Sequence, residues 1–111
     1  MARRTDLGSV QIRNEVVSTI ASLAAREVEG VVGIWQGPIW RRPFSGNPGV
    51  QVEIQDQEVR LWVNLVVEYG VSLPNVAGQV QNRVREMVEQ MTQLDAAEVH
   101  VGIHEVKPRR S

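Results

Sequence analysis

No cysteine occurs among the 111 residues. That removes disulfides, thiolate nucleophiles and Cys-ligated metal from consideration, and it fits a reducing cytoplasm. Charge of one sign is also lacking. Twelve basic and thirteen acidic side chains give a formal net charge of -1, whereas a general nucleic-acid binder needs an excess of Lys and Arg on one face. No apolar run approaches the roughly 20 residues of a membrane span, and no apolar segment follows Arg3 and Arg4 as a secretory signal would require. Membrane contact is therefore expected only at the periphery or through a partner. Aromatic residues are few, with three Trp, one Tyr and one Phe, so their positions carry weight.

Catalytic and cofactor signatures are equally scarce. The chain has no Gly-x-Ser-x-Gly elbow, phosphate loop or dinucleotide fingerprint. His100 and His104 fall on one face of an extended strand, roughly 13 Å apart, too far to share one metal. Gly30-Val31-Val32-Gly33 has the bare spacing of a nucleic-acid-clamping GxxG loop but none of its basic residues. The carboxylates are scattered. No catalytic, cofactor-binding or metal-binding residue is expected.

What is present reads as a single globular domain, with 42% apolar and 23% charged residues. Val10 and Ile12 mark a short strand. Asn14 is the expected N-cap of a helix running to about Glu29, with an apolar stripe of Val17, Ile20, Ala21, Ala24 and Val28, widened by Val16 and Leu23. Ser18 and Ser22 are expected outside, and Gly30 as the left-handed cap. Residues 31–49 are punctuated by Gly and Pro and too broken for a long element. Val50, Val52 and Ile54 alternate as one strand, and Val59 through Tyr69 as a longer one, joined at Asp56-Gln57. Leu73, Val76, Ala77, Val80, Val84, Met87, Val88 and Met91 then recur at helical spacing. Val99, Val101 and Ile103 mark a last strand.

The order β-α-β-β-α-β implies an α+β fold. It is a two-layer α/β sandwich in which a small three- to four-stranded sheet carries both helices on one face. Residues 1–7 are expected as a flexible tail, 8–106 as one domain and 107–111 as a basic tail. Alternation places Arg60, Trp62, Asn64, Val66 and Glu68 on the second sheet face, with Gln51, Glu53, Gln55, His100, Gly102 and His104 as neighbours. Trp62 there is either covered by the Trp35/Trp40 connection or an anchor for a second copy or a partner. The connection itself sets Trp35, Trp40 and Phe44 beside Arg41 and Arg42. It either folds back to finish the core or stands out as an aromatic and basic tongue. These six residues, Trp35, Trp40, Arg41, Arg42, Phe44 and Trp62, are the candidate partner-binding set.

A resemblance extends this reading. Gly8-x-Val10-x-Ile12 before a helix, Glu27-Val28-Glu29-Gly30-Val31 at its end, Val67-Glu68-Tyr69-Gly70, Leu73-Pro74-x-Val76-Ala77 and Met91-Thr92 stand in an order and spacing that resemble the bacterial alkaline-shock (Gls-type) envelope stress response family. The resemblance covers most of residues 8 to 106. Departures are the missing Gly after Asp56 and at position 93, and the Trp-rich connection. The family implies a small non-enzymatic cytoplasmic protein linked to envelope stress, some members being held at the membrane by an anchored partner. The function expected is a scaffold or adaptor that self-associates and binds protein, with no cofactor, metal or nucleic acid. The alternative is a small nucleic-acid-binding α/β module.

The helical register is directly testable. Val80→Asp or Val84→Asp places an unpaired carboxylate in the core and should cost several kcal/mol, roughly the margin of a small domain, while Gln79→Ala and Arg83→Ala should be nearly silent. Thermal melting of the four variants decides it, and equal midpoints would refute the register.

Overall fold

The computed structural model describes residues 2–5, 8–37 and 49–108. Eight elements follow one another. They are β1 (Ala2–Thr5), β2 (Gly8–Gln11), α1 (Asn14–Arg26), β3 (Val31–Ile34), β4 (Val50–Gln55), β5 (Glu58–Glu68), α2 (Leu73–Thr92) and β6 (Asp95–Lys107). The two helices and the four-stranded sheet β3–β6 make the expected α+β sandwich, with the strands β3, β4 and β6 all pairing with β5.

β5 is the centre of the sheet. Its partner β6 runs parallel to it along the whole of Glu58–Glu68, reached by the crossover through α2. β6 therefore fills one edge. β4 and β3, both antiparallel to β5, must share the other edge end to end, β4 opposite residues 58–63 and β3 opposite 65–67. They meet at Gly49, whose carbonyl accepts from the Asn64 amide while the Trp35 amide donates to the Asn64 carbonyl at 2.8 Å. A Cβ on Gly49 would overlap the Trp35 carbonyl oxygen and the Ile34 side chain. Absence of a side chain is what lets the two short strands abut.

The core lies between this sheet and the helices. Val59, Leu61, Val63, Leu65 and Val67 of β5 are fully buried, as are Val80, Val84 and Val88 of α2 and Val17, Ala21, Ala24 and Ala25 of α1. Arg83 bridges the helices through Nε and Nη2 to Glu27 Oε1 at 2.8 and 2.5 Å. Two α2 side chains also satisfy β6 backbone, Gln81 Nε2 donating to Val99 O and Glu89 Oε2 accepting from Ala96 N.

Several local expectations are corrected. Val16 and Leu23 are about half exposed, whereas Ser18 and Ser22 are buried. α1 packs on α2 as well as on β3 and β4, so its buried arc turns toward the small residues that let two helices approach. Leu73 and Met91, in the end turns of α2, are exposed. Asn14 is not the cap. Arg13 takes that position without a side-chain bond, and the Asn14 amide donates instead to Val52 O on the β4 edge. The first strand does not join the main sheet. It forms a separate ribbon in which Ala2–Thr5, expected as tail, pair antiparallel with Gly8–Gln11. β3 occupies the start of the stretch read as too broken for a long element, and β6 is far longer than Val99–Ile103. At the two places where glycine is missing relative to the resembling family, the backbone is left-handed or leads into the turn from such a residue: Asp56 has φ 57° and Gln93 φ 64°.

Two glycines should respond oppositely to alanine. Gly49→Ala overpacks the β3/β4 junction and should cost about 1 to 3 kcal/mol. Gly78, inside α2 with open space where its Cβ would stand, should gain about 0.5 to 1 kcal/mol as alanine. Urea unfolding of both variants measures the two shifts, and a neutral Gly49→Ala would contradict the end-to-end arrangement.

Candidate functional site: the outer face of the sheet

The helices cover one face of the sheet and leave the other to the even-numbered side chains of β5. Register puts Glu53, Arg60 and Glu98 in one row across β4, β5 and β6, then Gln51, Trp62 and His100 in the next, then Asn64 beside Gly102. Past Leu65 the register skips His104 and resumes with Val66 opposite Glu105. A bulge of this kind re-aims a side chain, and here His104 reaches back to Asn64.

The face holds two stacked aromatic pairs. Trp62 and His100 lie with ring centroids 5.5 Å apart and planes at 16°. Trp35, directly after β3, and His104 stack at 4.4 Å and 14°. Both tryptophans are half-buried and both histidines exposed. Thus each imidazole covers one side of an indole and remains open to solvent itself.

Polar contacts fix each histidine. His100 Nε2 lies 2.7 Å from Glu98 Oε1, and Arg60 joins the group, Nε donating to Glu98 Oε2 and Nη1 to Glu53 Oε1, each at 3.1 Å. At the other pair Asn64 Nδ2 donates to Gly49 O at 3.2 Å, which turns Asn64 Oδ1 toward His104 Nε2 at 2.8 Å. Gly102 makes room: its Cβ would come within 2.8 Å of that Oδ1 and 3.2 Å of His104 Nε2. The Glu98 carboxyl is held below the usual carboxylate range chiefly by the hydrogen bond from His100; loss of hydration opposes this, and the charges of Arg60 and His100 add to the lowering. Arg60 is pushed further up by its hydrogen bond to Glu53 and the charge of Glu98.

Among the described residues the face is acidic. Glu53, Glu58, Glu68, Glu98 and Glu105 outnumber Arg60 and Lys107 on its positions. Among the described residues no group of three or more His, Asp or Glu side chains could hold a metal. The open hollow at the start of α2, lined by Glu29, Val71, Ser72, Asn75, Val76 and Gln79, offers one carboxylate and no acid–base pair.

Of the candidate partner-binding residues, the structure brings Trp35 and Trp62 onto this face, in separate stacks rather than as lid and floor. Trp40, Arg41, Arg42 and Phe44 lie outside the described residues. Sequence reasoning placed His100 and His104 on the face but missed that each stacks on a tryptophan. The missing information was the β5–β6 register and the bulge at His104, neither of which a hydropathy pattern encodes.

Comparison with known proteins gives a consistent picture. The model of the ASP23 family, described as of cell envelope-related function, matches residues 2–108. An uncharacterized Bacillus subtilis protein, YqhY, is 36% identical over 104 residues, covering 89% of this chain and 77% of that protein. A Streptococcus pyogenes protein named as a stress response regulator gls24 homolog is 28% identical over 108 residues, and this chain spans 60% of its length. Among solved structures, a nickel form of the MamM CTD superposes with a TM-score of 0.53 at 18% identity, over 86% of this chain and 99% of that one. That likeness shows the fold alone.

The depressed carboxyl of Glu98 has a pH consequence. A group ionised more readily when folded than when unfolded contributes stability above its unfolded pKa, and that contribution is lost as pH falls through the folded value. Glu98→Gln should therefore lower the melting temperature slightly at pH 7, where the contribution is present, and converge with the wild type at pH 3, so that the acid limb below about pH 4.5, an ordinary carboxylate range, is flatter. Melting temperatures from pH 3 to 7 measure it; an unaltered acid limb would contradict the His100–Glu98–Arg60 arrangement.

Proposed function

The chain belongs to the ASP23 family, of cell envelope-related function, and from that premise we propose that it is a non-enzymatic scaffold or adaptor of the envelope stress response. It acts by protein association through the outer face of its sheet. The observation that carries this reading is Trp62, half-exposed in the middle of a sheet face that neither helix covers. A large aromatic with an arginine beside it is the composition of an interface hot spot. The relative named as a stress response regulator supports the physiological setting.

The reading sets the protein in the cytoplasm. No helix among the described residues is long and apolar enough to cross a membrane; in this reading a membrane-anchored relative supplies a place near the envelope, together with self-association. The acid excess on the outer face disfavours the alternative of a nucleic-acid module.

Trp62→Ala is the decisive variant. It should weaken association by about 2 kcal/mol, roughly thirtyfold, while the monomer stays folded. Sedimentation of the purified chain and affinity capture from the native host, each beside a circular dichroism melt, provide the readouts, with Gln79→Ala on α2 as control. A Trp62→Ala protein that assembles and captures normally would refute the reading, as would one whose melt falls by about 3 to 5 kcal/mol, the penalty of a core tryptophan.

A further inference from the structure

The two histidines of the outer face share a constraint that the adaptor reading does not use. The Asn64 amide group has its Nδ2 committed to Gly49 O, so only Oδ1 faces His104, and an amide oxygen can only accept. His104 must then carry its proton on Nε2. The same holds for His100, whose Nε2 faces the Glu98 carboxylate. Both rings are therefore locked as the Nε2–H tautomer. Each leaves a bare Nδ1, and each is stacked flat on an indole face.

We propose that the outer sheet face is a proton-operated surface, in which His100 and His104 each take up a second proton at Nδ1 and remain seated on Trp62 and Trp35. Nothing needs to move, because the existing Nε2–H bond serves the imidazolium equally well. Two hydrogen-bond acceptors become two donors, and the face gains two positive charges. The groups around His100 are Glu98 on its own strand, Glu53 on β4 acting through Arg60, and Trp62 of β5 stacked on the ring. His104 sees Asn64 and the Trp35 ring, with Glu68, Glu105 and Lys107 on the same end of the face. An imidazolium over an indole gains cation–π attraction, the larger the more it is shielded from water. Any partner seated on this face is thus held with a strength that changes with the protonation of the two rings.

The test uses the full chain, uniformly labelled with nitrogen-15, followed by long-range proton–nitrogen spectroscopy of the imidazoles from pH 8.5 to 5. At pH 8.5 both rings should show a protonated Nε2 and a bare Nδ1. On acidification the new proton should arrive at Nδ1 and tryptophan emission should fall in step, since a stacked imidazolium quenches indole, with the far-ultraviolet circular dichroism unchanged. His100→Gln and His104→Gln should each remove part of that fall. Asn64→Ala should release the tautomer of His104 alone, and Glu98→Ala that of His100 alone. Nδ1–H on either ring of the wild-type chain at pH 8.5 would overturn the proposal. So would emission that falls identically in the wild type and both His→Gln variants, whether or not the Asn64→Ala chain folds.

Discussion

Everything in this fold hangs on the alternation of one strand. β5 sends Val59, Leu61, Val63, Leu65 and Val67 to the helices and Arg60, Trp62, Asn64 and Glu68 to the opposite face, and β3, β4 and β6 all pair with it through hydrogen bonds. A slip of one residue would exchange the two sets, setting Trp62 against the helices and Leu61 in water. The register that fills the core is thus the same register that builds the outer face. Stability and the proposed recognition surface are two readings of a single constraint, and a change on one side of β5 cannot shift its pairing without disturbing the other.

That coupling explains which parts were legible in the sequence. Period-two alternation is strong over residues 50–55 and 59–67, so both strands, their faces and the position of Trp62 could be read. The ladder of Val76, Val80, Val84 and Val88 made α2 equally plain. Pairing beyond neighbours in sequence was not readable. Parallel β6 carries its outward residues through two irregularities, at Ala97 and His104, and these hide the extent of the strand from any periodic template. β3 is only four residues long with a bulge between Val31 and Gly33, and its glycine reads as a loop signal. The polarity of Ser18 and Ser22 reads as exposure, yet both are buried. Inside a helix wedged between a sheet and another helix, small size matters more, although Ser18 Oγ is buried there without a hydrogen-bond partner among the described residues.

The same lesson applies to the site. Composition made the rare tryptophans conspicuous, and alternation placed Trp62 correctly, but the link between each tryptophan and a histidine rests on distant segments brought side by side. Trp35 comes from the end of β3 and His104 from a bulge in β6, and Asn64 in β5 joins them through Gly49. Gly49 and Gly102 are both there for want of a side chain, one so that two strands can abut and the other so that Asn64 can reach His104. Small residues at such crossings are the signal that could have pointed to the arrangement, once the crossings themselves were known.

The central claim is that recognition belongs to the outer sheet face and not to the exposed apolar positions of α1, Val16 and Leu23. The most direct measurement follows the indole N–H signals of Trp35 and Trp62 together with the methyl signals of Val16 and Leu23 as the labelled chain is concentrated or mixed with a captured partner. The account predicts that the indole signals shift or broaden while the α1 methyls stay in place. Shifts confined to Val16 and Leu23, with both indoles unmoved, would contradict it.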